Sequence, residues 1–135
     1  MAIWLLKTEP ADYNLADLQR DGITVWDGVA NNLALKHIRQ MRMGDMALIY
    51  HTGAEKAWVG MGKAKSDPRQ DPKLDDPRLM VVDIGFERAL PHPVTLQACK
   101  AQESLAGWEL LRIGRLSVVP VSAAQWTVLK KMAGI

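Results

Sequence analysis

The sequence predicts an α+β fold: a small, twisted β-barrel of about five or six strands flanked by three or four short helices. Three observations point there. Apolar or alternating runs of strand length recur along the chain, separated by turn residues. The helical stretches between them are short and lack the regular βαβ alternation of a doubly wound sheet. Gly60, Gly62 and Ala64 share one parity of a strand, which bares one face and eases the sharp bend a small barrel needs. At 135 residues two separate cores would each be marginal, so residues 1–135 are expected to form one domain.

Taken in order, Ile3-Trp4-Leu5-Leu6 reads as a buried strand ended by Lys7-Thr8-Glu9-Pro10, because proline has no N–H for further pairing. Asn14 caps a short helix with an acid three residues on, and Gly22 closes it. Ile23–Trp26 is β-branched and aromatic, hence a strand. Asn31 or Asn32 caps a second helix reaching about Met41. Its apolar stripe is Ala34, Leu35, Ile38 and Met41, with Lys36, His37, Arg39, Gln40 and Arg42 opposite. Gly44-Asp45 turns the chain into Met46–His51, a largely apolar central strand, and Ala57–Lys65 follows as another. Residues 66–78 carry four Asp and three Pro and read as an exposed loop. Leu79–Glu87 alternates, with Met80, Val82, Ile84 and Phe86 on one face. Pro91-His92-Pro93 reads as a turn, Val94–Ala101 as a helix and Arg115–Val121 as extended chain. Ser122 to Gln125 is a capping box that opens a last helix over Ala123–Met132.

Composition excludes several classes. Hydrophobic residues at 48% and charged residues at 24% argue against disorder. No apolar run is long enough to span a bilayer, and the N-terminus lacks a secretory pattern. Cys99 is the only cysteine, so neither an internal disulfide nor a Cys-based metal cluster is available. The expected compartment is the cytoplasm, a monomer is favoured, and no cofactor, metal or membrane partner is implied. A net charge of +2 permits nucleic-acid binding without demonstrating it.

Motifs with bland explanations come next. Gly60-Met61-Gly62-Lys63 lacks the frame of a phosphate loop. The Asp-rich loop lacks the alternating ligands of an EF-hand. Cys99 sits in a helical stretch with no positioned base, and His37, His51 and His92 have no metal-ligand spacing. More informative is a set of strand ends rich in polar groups: Lys7-Thr8-Glu9, Trp26 to Val29, Asn31, Tyr50-His51 and Arg115 to Ser117. A planar base needs an aromatic face and a few edge donors and acceptors. Trp26, Tyr50, Asn31, Thr8, Glu9 and Ser117 supply that mixture. Two readings share the signal: a base pocket, or a core tryptophan among caps and turns.

At these residues the sequence resembles the EVE family, a relative of the PUA and YTH folds. The matching motifs are Trp4 to Pro10, Thr24 to Val29, Met43-Gly44-Asp45, Tyr50-His51-Thr52 and Arg115 to Val121, with Trp126 after them. The resemblance implies a PUA-like barrel with a surface pocket that accepts a modified base of DNA or RNA. Trp26 would be its stacking wall. Lys7, Thr8, Glu9, Val29, Asn31, Tyr50, His51, Arg115 and Ser117 would line it, and Lys36, Arg39 and Arg42 would hold phosphates. Two departures bear on the ligand. The family's Gly-Val-Arg-Asn and Ala-Arg-Asn read here Gly28-Val29-Ala30-Asn31 and Ala34-Leu35-Lys36, so both arginines are missing. The expected function is a non-catalytic reader of modified bases. The alternatives are a general PUA-like RNA-binding module, a binder of a small nucleoside-like ligand, and, less favoured, a hydrolase.

Overall fold

Strand β1 (Ile3–Thr8) lies inside a mixed sheet, one strand from its edge, with Trp4, Leu5 and Leu6 buried on both of its faces. It pairs in parallel with β3 (Met46–His51) and antiparallel with β7 (Val118–Val121). The sheet continues from β3 through β4 (Ala57–Ala64) and β6 (Met80–Thr95) to β2 (Ile23–Trp26). A two-residue strand, β5 (Arg69–Gln70), pairs with β6 inside the segment expected to be only loop. The computed structural model describes all 135 residues. Its hydrogen-bonded order runs open from β2 to β7, with no pairing between those two edges, so the closed barrel expected from the strand pattern is not made by the ladder.

The helices are α1 (Leu15–Asp21), α2 (Asn32–Gln40), α3 (Leu96–Lys100), α4 (Glu109–Arg112) and α5 (Ala123–Ala133), with a 3-10 turn at Glu103–Leu105. Local chemistry starts them. Asn14 with Asp17 and Ser122 with Gln125 form reciprocal capping boxes. Asn31 accepts the N–H groups of Leu33 and Ala34.

Three expectations are corrected. Pro91-His92-Pro93 is not a turn but part of β6, and the helix starts at Leu96 rather than Val94. The register explains it: Trp58 faces Val94 and Gly60 faces Ala89, so the prolines fall in a bulge where no ladder donor is required. His37 is not on a solvated helix face; it is buried against Trp4, ring centroids 5.8 Å apart, with Glu109 3.4 Å from its Nε2. The reason is that α2 contacts both β6 and β7, so its buried stripe is wider than one row. The loop at 66–78 also turns Asp71 inward, where it accepts the Lys73 N–H.

The bare strand face has a physical use. A Cβ on Gly62 would lie 2.6 Å from the Gly85 carbonyl oxygen, and one on Gly60 2.5 Å from the Leu15 side chain. Glycine is therefore what lets β6 and α1 close on β4.

Candidate nucleic-acid interface

Trp26 ends β2 on the buried side of the sheet edge, and Gly28, at φ +76°, turns the chain away behind it. In front of Trp26 lies a hollow of about 420 Å³, lined by Lys7 and Thr8 from β1, Tyr13, Thr24, Asp27 and Lys73. That volume falls in the range of small-ligand pockets, about 300–1,000 Å³. The walls are braced: the Thr8 hydroxyl donates to the Tyr13 carbonyl at 2.7 Å, and the Tyr13 hydroxyl to Asp21 at 2.8 Å.

One contrast singles out Trp26. Four tryptophans are buried, at positions 4, 26, 58 and 108. Trp4 donates its indole N–H to Asp45, Trp58 to the Gly60 carbonyl and Trp108 to the Pro120 carbonyl, at 3.0, 2.8 and 2.9 Å. The Trp26 N–H has no protein partner, yet it is not among the fully buried unpartnered atoms. A buried indole normally finds an acceptor. This one has none in the protein, and Trp26 lines the hollow.

The other candidate residues are distributed as follows. Tyr50 pairs with Lys7 across β3 and β1 and faces a second hollow, with the Lys7 ammonium 5.8 Å from its ring and 3.1 Å from the Gly114 carbonyl. Burial pulls the Lys7 ammonium below its usual value. His51 follows Tyr50 and so leaves the strand on the opposite side. There its Nε2 accepts the Leu15 N–H at 3.1 Å and its Nδ1 meets Glu55 at 2.7 Å, an arrangement that positions α1. Glu9 accepts from the Thr52 hydroxyl and the Ala11 N–H, and so ties two loops together. Val29 is in the core and Asn31 is the α2 cap. Ser117 accepts the Lys7 backbone N–H at 2.9 Å, which extends the β1–β7 ladder, while Arg115 is exposed.

Of the three phosphate candidates, Lys36 is exposed, Arg39 donates to the Arg78 carbonyl, and Arg42 donates to the carbonyls of Arg39 and Met41. The two missing arginines are not equivalent. Ala30 is exposed, whereas Leu35 is 1% exposed and packs in the core, so only position 30 offers surface for a ligand. Sequence reasoning missed Tyr13 and Lys73 and gave Thr24, Val25 and Asp27 no individual role. The last three lay inside a recognised motif; nothing in the chain pattern marks Tyr13 or Lys73 as neighbours of Trp26.

Comparisons with known proteins agree on fold and family. Rat thymocyte nuclear protein 1 is 29% identical over 91% of this chain and 70% of its own length. A solution structure of Rpa0253 from Rhodopseudomonas palustris superposes with a TM-score of 0.93 at 37% identity, covering 99% of this chain and 94% of that one. Human THYN1, crystallised in complex with 5-methylcytosine-containing DNA, has the same fold, with a TM-score of 0.91 at 23% identity over 100% of this chain and 99% of that one. The EVE domain model matches residues 2–132, and the chain belongs to the EVE domain family.

Proposed function

We propose that this chain is a non-catalytic nucleic-acid-binding domain that takes a modified base of DNA or RNA into the Trp26 hollow. The observation that carries the reading is the unpartnered indole N–H of a buried tryptophan at the mouth of a base-sized cavity. A flipped base loses its stacking neighbours, and an aromatic wall recovers about 1–3 kcal/mol of that loss. Thr8, Thr24 and Asp27 offer edge acceptors, and Lys7 and Lys73 add positive charge. A methyl group buried on the base would add about 0.8 kcal/mol. Human THYN1, a relative with this fold, was crystallised with 5-methylcytosine-containing DNA, which makes 5-methylcytosine the first modification to test. The reading extends to a monomer working in the cytoplasm, where the single buried thiol of Cys99 stays reduced. The PUA-like barrel belongs to it as well, as a curl of the open sheet around the hollow.

The test is a tryptophan-fluorescence titration with matched single-stranded oligonucleotides, unmodified and carrying 5-methylcytosine or methylated adenine, at two salt concentrations. Trp26→Phe keeps a ring and the fold while removing the N–H; Asp27→Ala changes an exposed edge group. Tighter binding to one modified base, weakened severalfold in both variants, is the expected result. Equal, salt-steep binding to every oligonucleotide would replace the reader with a general RNA-binding module. Binding of free nucleosides alone would select the small-ligand reading, which the loss of an exposed arginine at Ala30 favours.

A further inference from the structure

Tyr50 repeats the anomaly of Trp26 at a different cavity. Its side chain is 3% exposed, and its hydroxyl has no hydrogen-bond partner in the protein, yet it is not sealed from solvent. Burial, with Cys99 adding a smaller effect, pushes the phenol up to about 12, so Tyr50 is a neutral O–H donor across the physiological range. The space it lines is a hollow of about 230 Å³, floored by Leu96 and Leu110. Lys7 and Lys56 are the charged residues that line it, and both are cationic.

Lys56 supplies an independent observation. It is the sole non-glycine residue with positive φ, at +46°. Glycine adopts that backbone freely, whereas a lysine does so against steric resistance. The strained turn is held from outside, by the Leu96 N–H donating to the Lys56 carbonyl at 2.8 Å. What lysine adds at this position is an exposed charged side chain on a residue that lines the hollow. Strain of this kind collects at ligand sites because the surrounding structure maintains it.

The acids nearby already have partners. Glu55 meets His51, while Glu9 accepts from Ala11 and from Thr52, a lining residue, so its carboxylate lies beside the hollow without lining it. The Lys7 ammonium spends one donor on the Gly114 carbonyl and has two left. A buried phenol O–H, the Lys7 ammonium and the exposed Lys56 side chain therefore line a small cavity whose one neighbouring carboxylate, Glu9, is already bonded to Thr52. Their common complement is a compact oxyanion with several acceptor oxygens.

We propose that the Tyr50–Lys56 hollow binds a phosphate group, and that this phosphate belongs to the nucleotide whose base occupies the Trp26 hollow. Lys7 lines both cavities and is the joint between them. The second half of the proposal rests on the reading of the Trp26 hollow; the first half stands without it. Two lysines, rather than an arginine fork, make the contact weakly directional and sensitive to salt.

The experiment is a backbone-amide NMR titration of the full chain with inorganic phosphate, against chloride at matched ionic strength. Wild type, Lys56→Gly and Tyr50→Phe are compared. Lys56→Gly removes the ammonium and relieves the strained backbone, so it folds at least as well. Saturable shifts at Gly53, Lys56 and Gly114, with Kd raised about fivefold in each variant, are expected for loss of one charge-assisted contact. Small shifts spread over all exposed lysines, unchanged by Lys56→Gly, would overturn the phosphate site whatever happens with bases.

A second arm compares a nucleoside with its 5′-monophosphate. The monophosphate should bind about five- to tenfold more tightly to wild type and equally to Lys56→Gly, with nucleoside affinity the same in both proteins. Saturable phosphate binding without that preference would overturn joint occupancy. Phosphate binding with no response to nucleoside or monophosphate would support the hollow and count against the Trp26 reading instead. Displacement of phosphate by a single-stranded oligonucleotide identifies a backbone phosphate as the source, and displacement by the mononucleotide alone identifies a free nucleotide.

Discussion

The two ends of strand β1 treat their buried polar groups in opposite ways. At its start, the buried Asp45 carboxylate accepts the Ala2 N–H, the Trp4 indole N–H and the Arg42 N–H, at 3.1, 3.0 and 2.9 Å. The three donors around Asp45 are closed by protein and the first residues are locked to the turn before β3, although the His37 ring against Trp4 has no hydrogen-bond partner. At its end, Lys7 sits between two hollows, each faced by a buried aromatic whose donor is unpaired: Trp26 in one, Tyr50 in the other. The difference separates recognised motifs by what they do. Met43-Gly44-Asp45 pins the fold, while the residues after Leu6 leave hydrogen-bonding capacity unspent. An enclosed pin contributes stability; an open donor costs some stability and keeps capacity for a ligand.

Removing the pin gives the largest expected effect. Asp45→Ala leaves three N–H donors without their acceptor and should cost about 3 kcal/mol or more in urea denaturation. A loss below about 1 kcal/mol would mean water replaces the carboxylate, and the two ends would no longer differ.

Alkaline pH attacks the open end. Burial holds the Cys99 thiol at about 11 and the Tyr50 phenol at about 12, above their ordinary values of 9.0 and 10.0. The folded chain thus keeps these protons where the unfolded chain loses them, so stability falls as pH rises through this range. Denaturation at pH 8 and pH 11 should show the decline, and Cys99→Ala should remove about 2 kcal/mol of it. An unchanged slope in that variant would place the titration elsewhere.

Matched tryptophan substitutions sharpen the comparison further. Trp4→Phe strips one donor from Asp45 as well as volume from the core, for an expected loss of about 2 kcal/mol. Trp26→Phe removes an N–H that no protein group uses, so about 1 kcal/mol is expected, with the functional loss appearing in binding. Equal thermal shifts for the two would contradict the assignment of Trp26 as open.

The smallest effect is the most diagnostic. Tyr50→Phe deletes a hydroxyl with no protein partner and should leave stability within about 0.5 kcal/mol of wild type. A clear destabilisation would show that the hydroxyl is held by the fold, and the second hollow would lose its donor.

Much of the fold was legible because it is encoded locally. Caps at Asn14, Asn31 and Ser122 act over three residues, and the strand at Ile3–Leu6 declares itself by apolar content. The prolines at 91 and 93 misled because a proline in a bulge and a proline in a turn look alike in sequence. His37 misled because the width of a buried helical stripe depends on what packs around it. The candidate site was legible in part. Lys7, Thr8 and Trp26 come together, but adjacent Tyr50 and His51 leave their strand on opposite sides and serve different surroundings.

By itself the sequence determined the α+β class, the element caps, the family motifs and the absence of a second cysteine, all properties carried by near neighbours or by residue identity. Tertiary structure alone decided which of four buried indoles stays unpartnered and which aromatic faces which hollow. It also decided that position 35 has no surface to offer a ligand. A hydrogen bond to a buried side chain is completed by a residue far along the chain, as Asp45 completes Trp4 across 41 positions. Whether that partner arrives depends on the packing of the whole sheet, and no local pattern records it.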